Sequence, residues 1–182
     1  MIEIRAESGR IAIGPIDRRY LDGVVDLYNC SEGYRYATGI SYPVTQADIA
    51  LKLDVLATSR NEFFTGIYEK EPGGGACRLI GVVSGLLYEN TLWIKLIAIL
   101  PQFQHQGIGS TTVELVVQWS KAVFNTSDVL LSVIEKNDEG VKFWRKLGFG
   151  ETGRFTKMLF GDKSPYEVII MHKSLQEPSG KN

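Results

Sequence analysis

Cysteine and histidine are scarce in this chain: two of each among 182 residues, Cys30, Cys77, His105 and His172. Two cysteines make no disulfide framework, and two histidines assemble no zinc-ligand spacing, so no metal is expected. Both thiols are expected to be buried or partly buried, because free cysteine behaves as a small hydrophobe. A cysteine nucleophile would need a histidine partner, and nothing in the sequence places one beside either thiol. Blocks of like charge are also missing. Lys and Arg number 20 against 21 Asp and Glu, for a formal net charge of −1, which argues against a nucleic-acid binder built on a basic patch. No apolar run approaches the ~18–20 residues of a spanning helix, and the N-terminal MIEIRAESGR carries no apolar signal core. These absences predict a soluble cytoplasmic protein with neither a membrane nor a nucleic-acid partner.

What is present suits a single globular domain. The chain is 44% apolar, and a length in this range hides about 70% of the unfolded chain's surface on folding. One domain is expected over residues 1–175, with a flexible tail over 176–182. No internal repeat or low-complexity segment occurs. Asp17 is placed to cap a first helix whose apolar positions Tyr20, Leu21, Val24, Val25 and Tyr28 repeat at helical spacing. Thr45 and Asp48 resemble a capping box opening a second helix through Ile49, Leu53 and Leu56.

Strand-like runs follow over 62–68, 78–88 and 92–100, with Gly73, Gly74 and Gly75 marking a turn and Glu89-Asn90-Thr91 a hairpin connection. A third helix follows Gly107, with Ile108, Thr112, Leu115, Val116 and Trp119 on one face. Val129 to Ile134 reads as a strand covered on both faces. Asn137 is a good N-cap for a fourth helix, with Asp138 and Glu139 in its first turn and Gly148 at its end. Strands around 155–160 and 167–172 close the chain. That order predicts a mixed α/β sheet.

Chemistry is concentrated in Leu92 to Ser110, LWIKLIAILPQFQHQGIGS. A strand ends at Pro101, a short loop follows, and Gly107 and Gly109 open a helix. Backbone N–H groups at such a start are unsatisfied by the helix itself, and with the dipole they form an anion site that glycine lets a phosphate approach. A P-loop would place Lys before Ser110-Thr111, and none stands there. A dinucleotide fingerprint would begin almost directly after the strand, and four residues intervene before Gln106 and Gly107.

Gln104-His105-Gln106-Gly107-Ile108-Gly109 resembles the Q/R-x-x-G-x-G/A signature of the GNAT superfamily of N-acetyltransferases. Asn137 to Phe149, NDEGVKFWRKLGF, is similar to that family's second landmark, an N-x-x-A-x-x-Φ-Y-x-K-x-G-F helix. The resemblance covers about residues 10 to 174. It implies a mixed, mainly antiparallel sheet of six to seven strands with a central splay, flanked by about four helices. It also implies transfer of acetyl from acetyl-CoA to a primary amine by direct attack in a ternary complex, on an amine-bearing small molecule or peptide. Oligomeric state is left open, a homodimer through a strand edge being one assembly the resemblance implies. The alternative is a non-catalytic acyl-CoA-binding sensor.

Carried over by the resemblance, Ile97, Ala98 and Ile99 line the pantetheine and acetyl group through their backbone. Gln104, His105, Gln106, Gly107, Ile108, Gly109 and Ser110 wrap the pyrophosphate. Asn137 reaches the pantetheine with its amide, a role compatible with simple capping. Gly140 occupies a position where bulk would block the cosubstrate. Lys146 meets a CoA phosphate or lies free in solvent.

The chain departs from the family pattern in two places. The tyrosine proposed to protonate the leaving thiolate falls at Trp144, whose indole donates a hydrogen bond but is no acid at working pH. A base on the strand before the splay would fall at Trp93 or Lys95. Neither is a base of the usual kind, so no side chain is assigned as catalytic acid or base. Alternation places Trp93 and Lys95 on one face with Ile97 and Ile99, as core and solvent residues or as an aromatic wall and cation for an acceptor carboxylate. The loop over 29–43 offers Glu32, Tyr34 and Tyr36 to the acceptor, as ligands or as packing.

Overall fold

A computed structural model of the chain describes residues 1–30, 36, 38, 40, 42–71, 77–158 and 164–176. Among the described residues, strands and helices follow in this order. Strands β1 (Ala6–Ser8) and β2 (Ile11–Pro15) precede helices α1 (Leu21–Asn29) and α2 (Gln46–Ala57). Strands β3 (Glu62–Lys70), β4 (Cys77–Tyr88) and β5 (Thr91–Ile99) form a meander. Helix α3 (Ile108–Phe124), strand β6 (Asp128–Ile134), helix α4 (Asp138–Lys146) and the hairpin β7 (Gly150–Met158) and β8 (Pro165–Ser174) complete the order.

One sheet takes all eight strands in the order β1-β2-β3-β4-β5-β6-β8-β7. Every neighbouring pair is antiparallel except β5 with β6. The expected six to seven strands become eight because the first strand is itself a hairpin. It turns at Gly9, whose φ of +55° suits glycine.

Helices cover both faces. On one, α3 and α4 set Ile108, Val116, Val141 and Trp144 against Ile67, Ile80, Leu92 and Ile94. On the other, Val24, Leu27, Tyr28 and Ile49 of α1 and α2 pack on Phe64, Val82, Leu96 and Ala98. Strand β6 departs from the expectation of two covered faces: Val129, Leu131 and Val133 are buried, whereas Leu130 is half-buried and Ser132 exposed. Strand β7 begins five residues earlier than its apolar run, and most of its residues are exposed because no helix reaches that edge.

The caps follow the sequence closely, with one shift. Thr45 and Asp48 form the full capping box of α2. Asp17 accepts from Arg19 N–H at 2.8 Å, but it caps a single 3₁₀ turn, Arg18–Tyr20, that leads into α1. Both cysteines are exposed, against expectation. Cys30 follows the end of α1 and turns its thiol to the Leu27 carbonyl, and Cys77 is the outermost residue of β4, so neither position faces a core layer. The turn at 73–75 and nearly all of the 176–182 tail lie outside the described residues. Among the described residues no helix is long and apolar enough to cross a membrane, and no cluster of metal-ligating side chains forms.

Candidate active site

Strand β5 contains the feature that shapes the site. Its pairing with β4 runs Ser84↔Leu96 and then Gly85↔Ile94, which leaves Lys95 as an extra residue in a β-bulge. Gly85 permits it: a Cβ there would lie 2.4 Å from the Trp93 carbonyl oxygen and 2.7 Å from the Phe63 ring. An isolated glycine inside the run 78–88 was the sequence signal for this bulge.

The bulge reverses the alternation expected along β5. Leu92, Ile94, Ile97 and Ile99 all pack on the α3/α4 side, whereas Leu96 and Ala98 face α1 and α2. Trp93 and Lys95 therefore do not share a face with Ile97 and Ile99. Lys95 is exposed, and its ammonium pairs with the carboxylate of Glu62 at the start of β3.

Pairing between β5 and β6 stops at Ile94↔Leu131. Past that vertex the strands separate: β5 stays on β4 and β6 stays on β8. The backbone groups of Lys95 to Ala98 that face β6 thus have no strand partner. A cleft of about 930 Å³ occupies this splay, running from the vertex to the start of α3 and bounded by α4.

The start of α3 is unlike the starts of α2 and α4. Thr45 and Asp48 cap α2, and Asn137 Oδ1 accepts from Gly140 N–H at 3.0 Å to cap α4. Helix α3 has no side-chain cap and no acid in its first turn, and Gly107 precedes it at φ +79°. Its first intrahelical bond is Thr111 N–H to the Gly107 carbonyl, 3.0 Å. The N–H groups of Ile108, Gly109 and Ser110 are left without helical acceptors at the mouth of the cleft.

The cleft gathers most of the residues singled out above. Ile97, Ala98, Ile99, Gln104, His105, Gly107, Gly109 and Ser110 line it from the β5–α3 side. Asn137, Gly140, Trp144 and Lys146 line it from α4, and Tyr36 and Lys95 also line it. Ile108 does not face it, being 2% exposed in the core, so only its backbone is available. Gln106 also turns away, accepting from Arg10 at 2.8 Å and donating to the Gln102 carbonyl. The Gln104 amide donates to the Ile99 carbonyl at 2.8 Å and so ties the loop to β5. Trp93 is half-buried and outside the cleft. Glu32 and Tyr34 lie outside the described residues.

Two glycines have local reasons that differ from those expected. At Gly140 a Cβ would come within 2.7 Å of the Asn137 amide, so bulk there would break the α4 cap before reaching a ligand. At Gly109 it would press on the Phe143 ring at 3.1 Å.

Trp144 is 6% exposed and stacks edge-on with Phe143 and Phe149, ring centroids 4.8 and 5.2 Å apart. Trp144 also lines the cleft.

Charge along the cleft is mostly positive: Lys95, Lys136, Lys142 and Lys146 against Asp138 and Glu139. Behind Lys95, Lys52 of α2 donates to Tyr28 Oη at 3.2 Å and sits 4.9 Å from the Phe64 ring centroid. Burial, then the like charge of Lys95, pulls the Lys52 pKa down, and Glu62 opposes this. Burial raises the Tyr28 phenol above its ordinary range. The hydrogen bond from Lys95 holds the Glu62 carboxyl below its usual value. Lys52, Tyr28 and Glu62 were not singled out from the sequence; only the β3–β5 register and the α2 packing bring them together.

Comparison with known proteins settles the family. The model of the acetyltransferase (GNAT) family matches residues 22–149. The chain belongs to the acetyltransferase (GNAT) family. Acetyl-CoA is the cosubstrate of that family, and this GNAT protein is an N-acetyltransferase. Among solved structures, the fold is similar to the spermidine N-acetyltransferase from Vibrio cholerae in complex with CoA and spermine. The TM-score is 0.75 at 16% identity, over 91% of this chain and 95% of that one. A GNAT-family protein from Chromobacterium violaceum superposes with a TM-score of 0.78 at 10% identity, over 96% and 87% of the two chains. No curated protein matches the sequence significantly.

Proposed function

We propose that this acetyltransferase moves the acetyl group of acetyl-CoA onto the primary amine of a small molecule or peptide by direct attack. The observation that carries the reading is the uncapped start of α3, opening beside the unpaired edge of β5. The residues fit the cosubstrate: free N–H groups and Gly107 suit a pyrophosphate, and the open edge of Lys95 to Ala98 suits an amide-bearing arm that pairs as a strand would. Acetyl-CoA supplies an acetyl group already activated as a thioester.

The chain contributes position and electrostatics. Asn137 spends its Oδ1 on the α4 cap, which leaves its Nδ2 to donate to the arm. Lys142 and Lys146 offer charge to phosphate at the mouth. Among the described residues the cleft wall carries neither cysteine, which supports direct attack over a cysteine-bound acyl intermediate. Trp144 has no proton to give at working pH. A thiol with a pKa near ~8.5, taking cysteine as the guide, leaves tolerably as thiolate without an acid. The likeness to the Vibrio cholerae spermidine N-acetyltransferase favours an amine acceptor here too. The free, uncovered edge of β7 is the surface we assign to a homodimer.

The test joins binding to turnover. CoA should bind with one site per chain by calorimetry, and acetyl-CoA should release free thiol with at least one class of primary amine. CoA binding without thiol release from any amine in a broad panel would leave a binder and overturn the transfer.

A further inference from the structure

The acceptor end of the cleft has a composition of its own. Lys95 is the first residue past the last β5–β6 pair and therefore stands at the vertex. If the pyrophosphate takes the start of α3, the acyl end of the cosubstrate reaches this vertex, and the acceptor must present its amine here. Here Lys95 of β5 pairs with Glu62 of β3, and Lys52 of α2, itself outside the cleft lining, lies close enough behind them for its charge to couple to both. The carboxylate, Glu62, is already committed to Lys95.

Lys52 is the unusual member. Its Nζ meets the Tyr28 hydroxyl and the faces of Phe64 and Tyr28. Among the described residues no carboxylate lies within 4.0 Å of it. Aromatic faces repay part of the cost of a desolvated cation, and an anion would repay the rest. An ammonium has three donors. Lys52 spends one on Tyr28 and Lys95 one on Glu62, so both retain donors for a shared ligand.

We propose that the acceptor carries a carboxylate beside its primary amine, and that Lys52 and Lys95 together bind that carboxylate. The inference rests on the transfer reading above and narrows its substrate class to amino-acid-like zwitterions. A polyamine would bring positive charge onto a site whose net charge is already positive. Tyr28, buried and un-ionised, acts as a positioning residue that holds Lys52 in place.

The experiment compares amino acids with their own decarboxylated amines, phenylalanine with phenethylamine and lysine with cadaverine, with spermidine as the cationic control. Released CoA thiol is the readout, and rates are corrected for the neutral-amine fraction. The carboxylated member of each pair should show at least ~10-fold higher kcat/KM, carried by KM. Lys52→Met and Lys95→Gln should each bring that ratio close to one. Lys95 has a side chain 43% exposed, so Lys95→Gln keeps the test decisive if Lys52→Met fails to fold. Equal or better turnover of the decarboxylated amines or spermidine, or a ratio that neither variant moves, would overturn the carboxylate site while acetyl transfer stands. Thiol release from no acceptor at all would overturn both.

Discussion

At the α3 end of the cleft the groups proposed to meet the cosubstrate belong to the main chain: three N–H donors behind Gly107 and the unpaired edge of β5. At the vertex they are side chains from three segments, with Lys95 and its partner Glu62 separated by 33 residues. In the proposed reading the first end takes a constant moiety and needs only a particular backbone path, which glycines and a missing cap encode locally. The second must recognise a variable partner, so it draws on side-chain identity and on the register that brings distant positions together. One end can therefore be damaged without the other.

The largest separation is expected from Ser110→Asp. A carboxylate about 4 Å from a phosphate costs on the order of 4 kcal/mol at an effective dielectric of 20, so CoA affinity should fall by ~100-fold or more. The same acid in the first turn of α3 favours the helix by ~0.3–1 kcal/mol, so the Tm should hold or rise. Calorimetric Kd and thermal melts on one preparation decide it. Unchanged affinity would remove the anion-site assignment.

Gly85→Ala attacks the other end. Its Cβ would meet the Trp93 carbonyl at 2.4 Å, forcing the bulge to shift at a cost of ~1–3 kcal/mol in urea unfolding. Acceptor kcat/KM should drop because Lys95 moves, while CoA Kd stays near the wild-type value. Equal losses at both ends would show that the two are coupled through β5.

Asn137→Asp sharpens the comparison at smaller amplitude. Asp caps as well as Asn, so the Tm should hold. Loss of the Nδ2 donor, worth ~0.5–1.5 kcal/mol, should weaken CoA binding about 2- to 10-fold. Equal affinities would leave the cap as the residue's whole role.

The smallest effect concerns stability against pH. Lys52 has its pKa lowered in the fold, below the ~10.4 of an unfolded chain. Between those values the unfolded state binds more protons, so stability rises with pH through that window. Urea midpoints from pH 7 to 10 should show this rise in the native protein and lack it in Lys52→Met. A rise that persists in the variant assigns it to another group.

Much of this molecule follows from local sequence. Apolar spacing with Thr45, Asp48 and Asn137 located the helices, because caps act within one turn of the residues they satisfy. Gln104 to Ser110 located the uncapped start of α3 for the same reason: an orphan N–H cluster is a property of a few consecutive residues. Tertiary structure decided what depends on register. The bulge at Lys95 turned Trp93 and Lys95 away from the face of Ile97 and Ile99, since one extra residue inverts every later side chain on a period of two. It also joined Lys95 to Glu62 and set both beside Lys52, whose charge is felt only where α2 lies on the sheet. Gly140 shows the two levels meeting. Its place in the motif was legible, but its reason, room for the Asn137 cap, required the distance between the two.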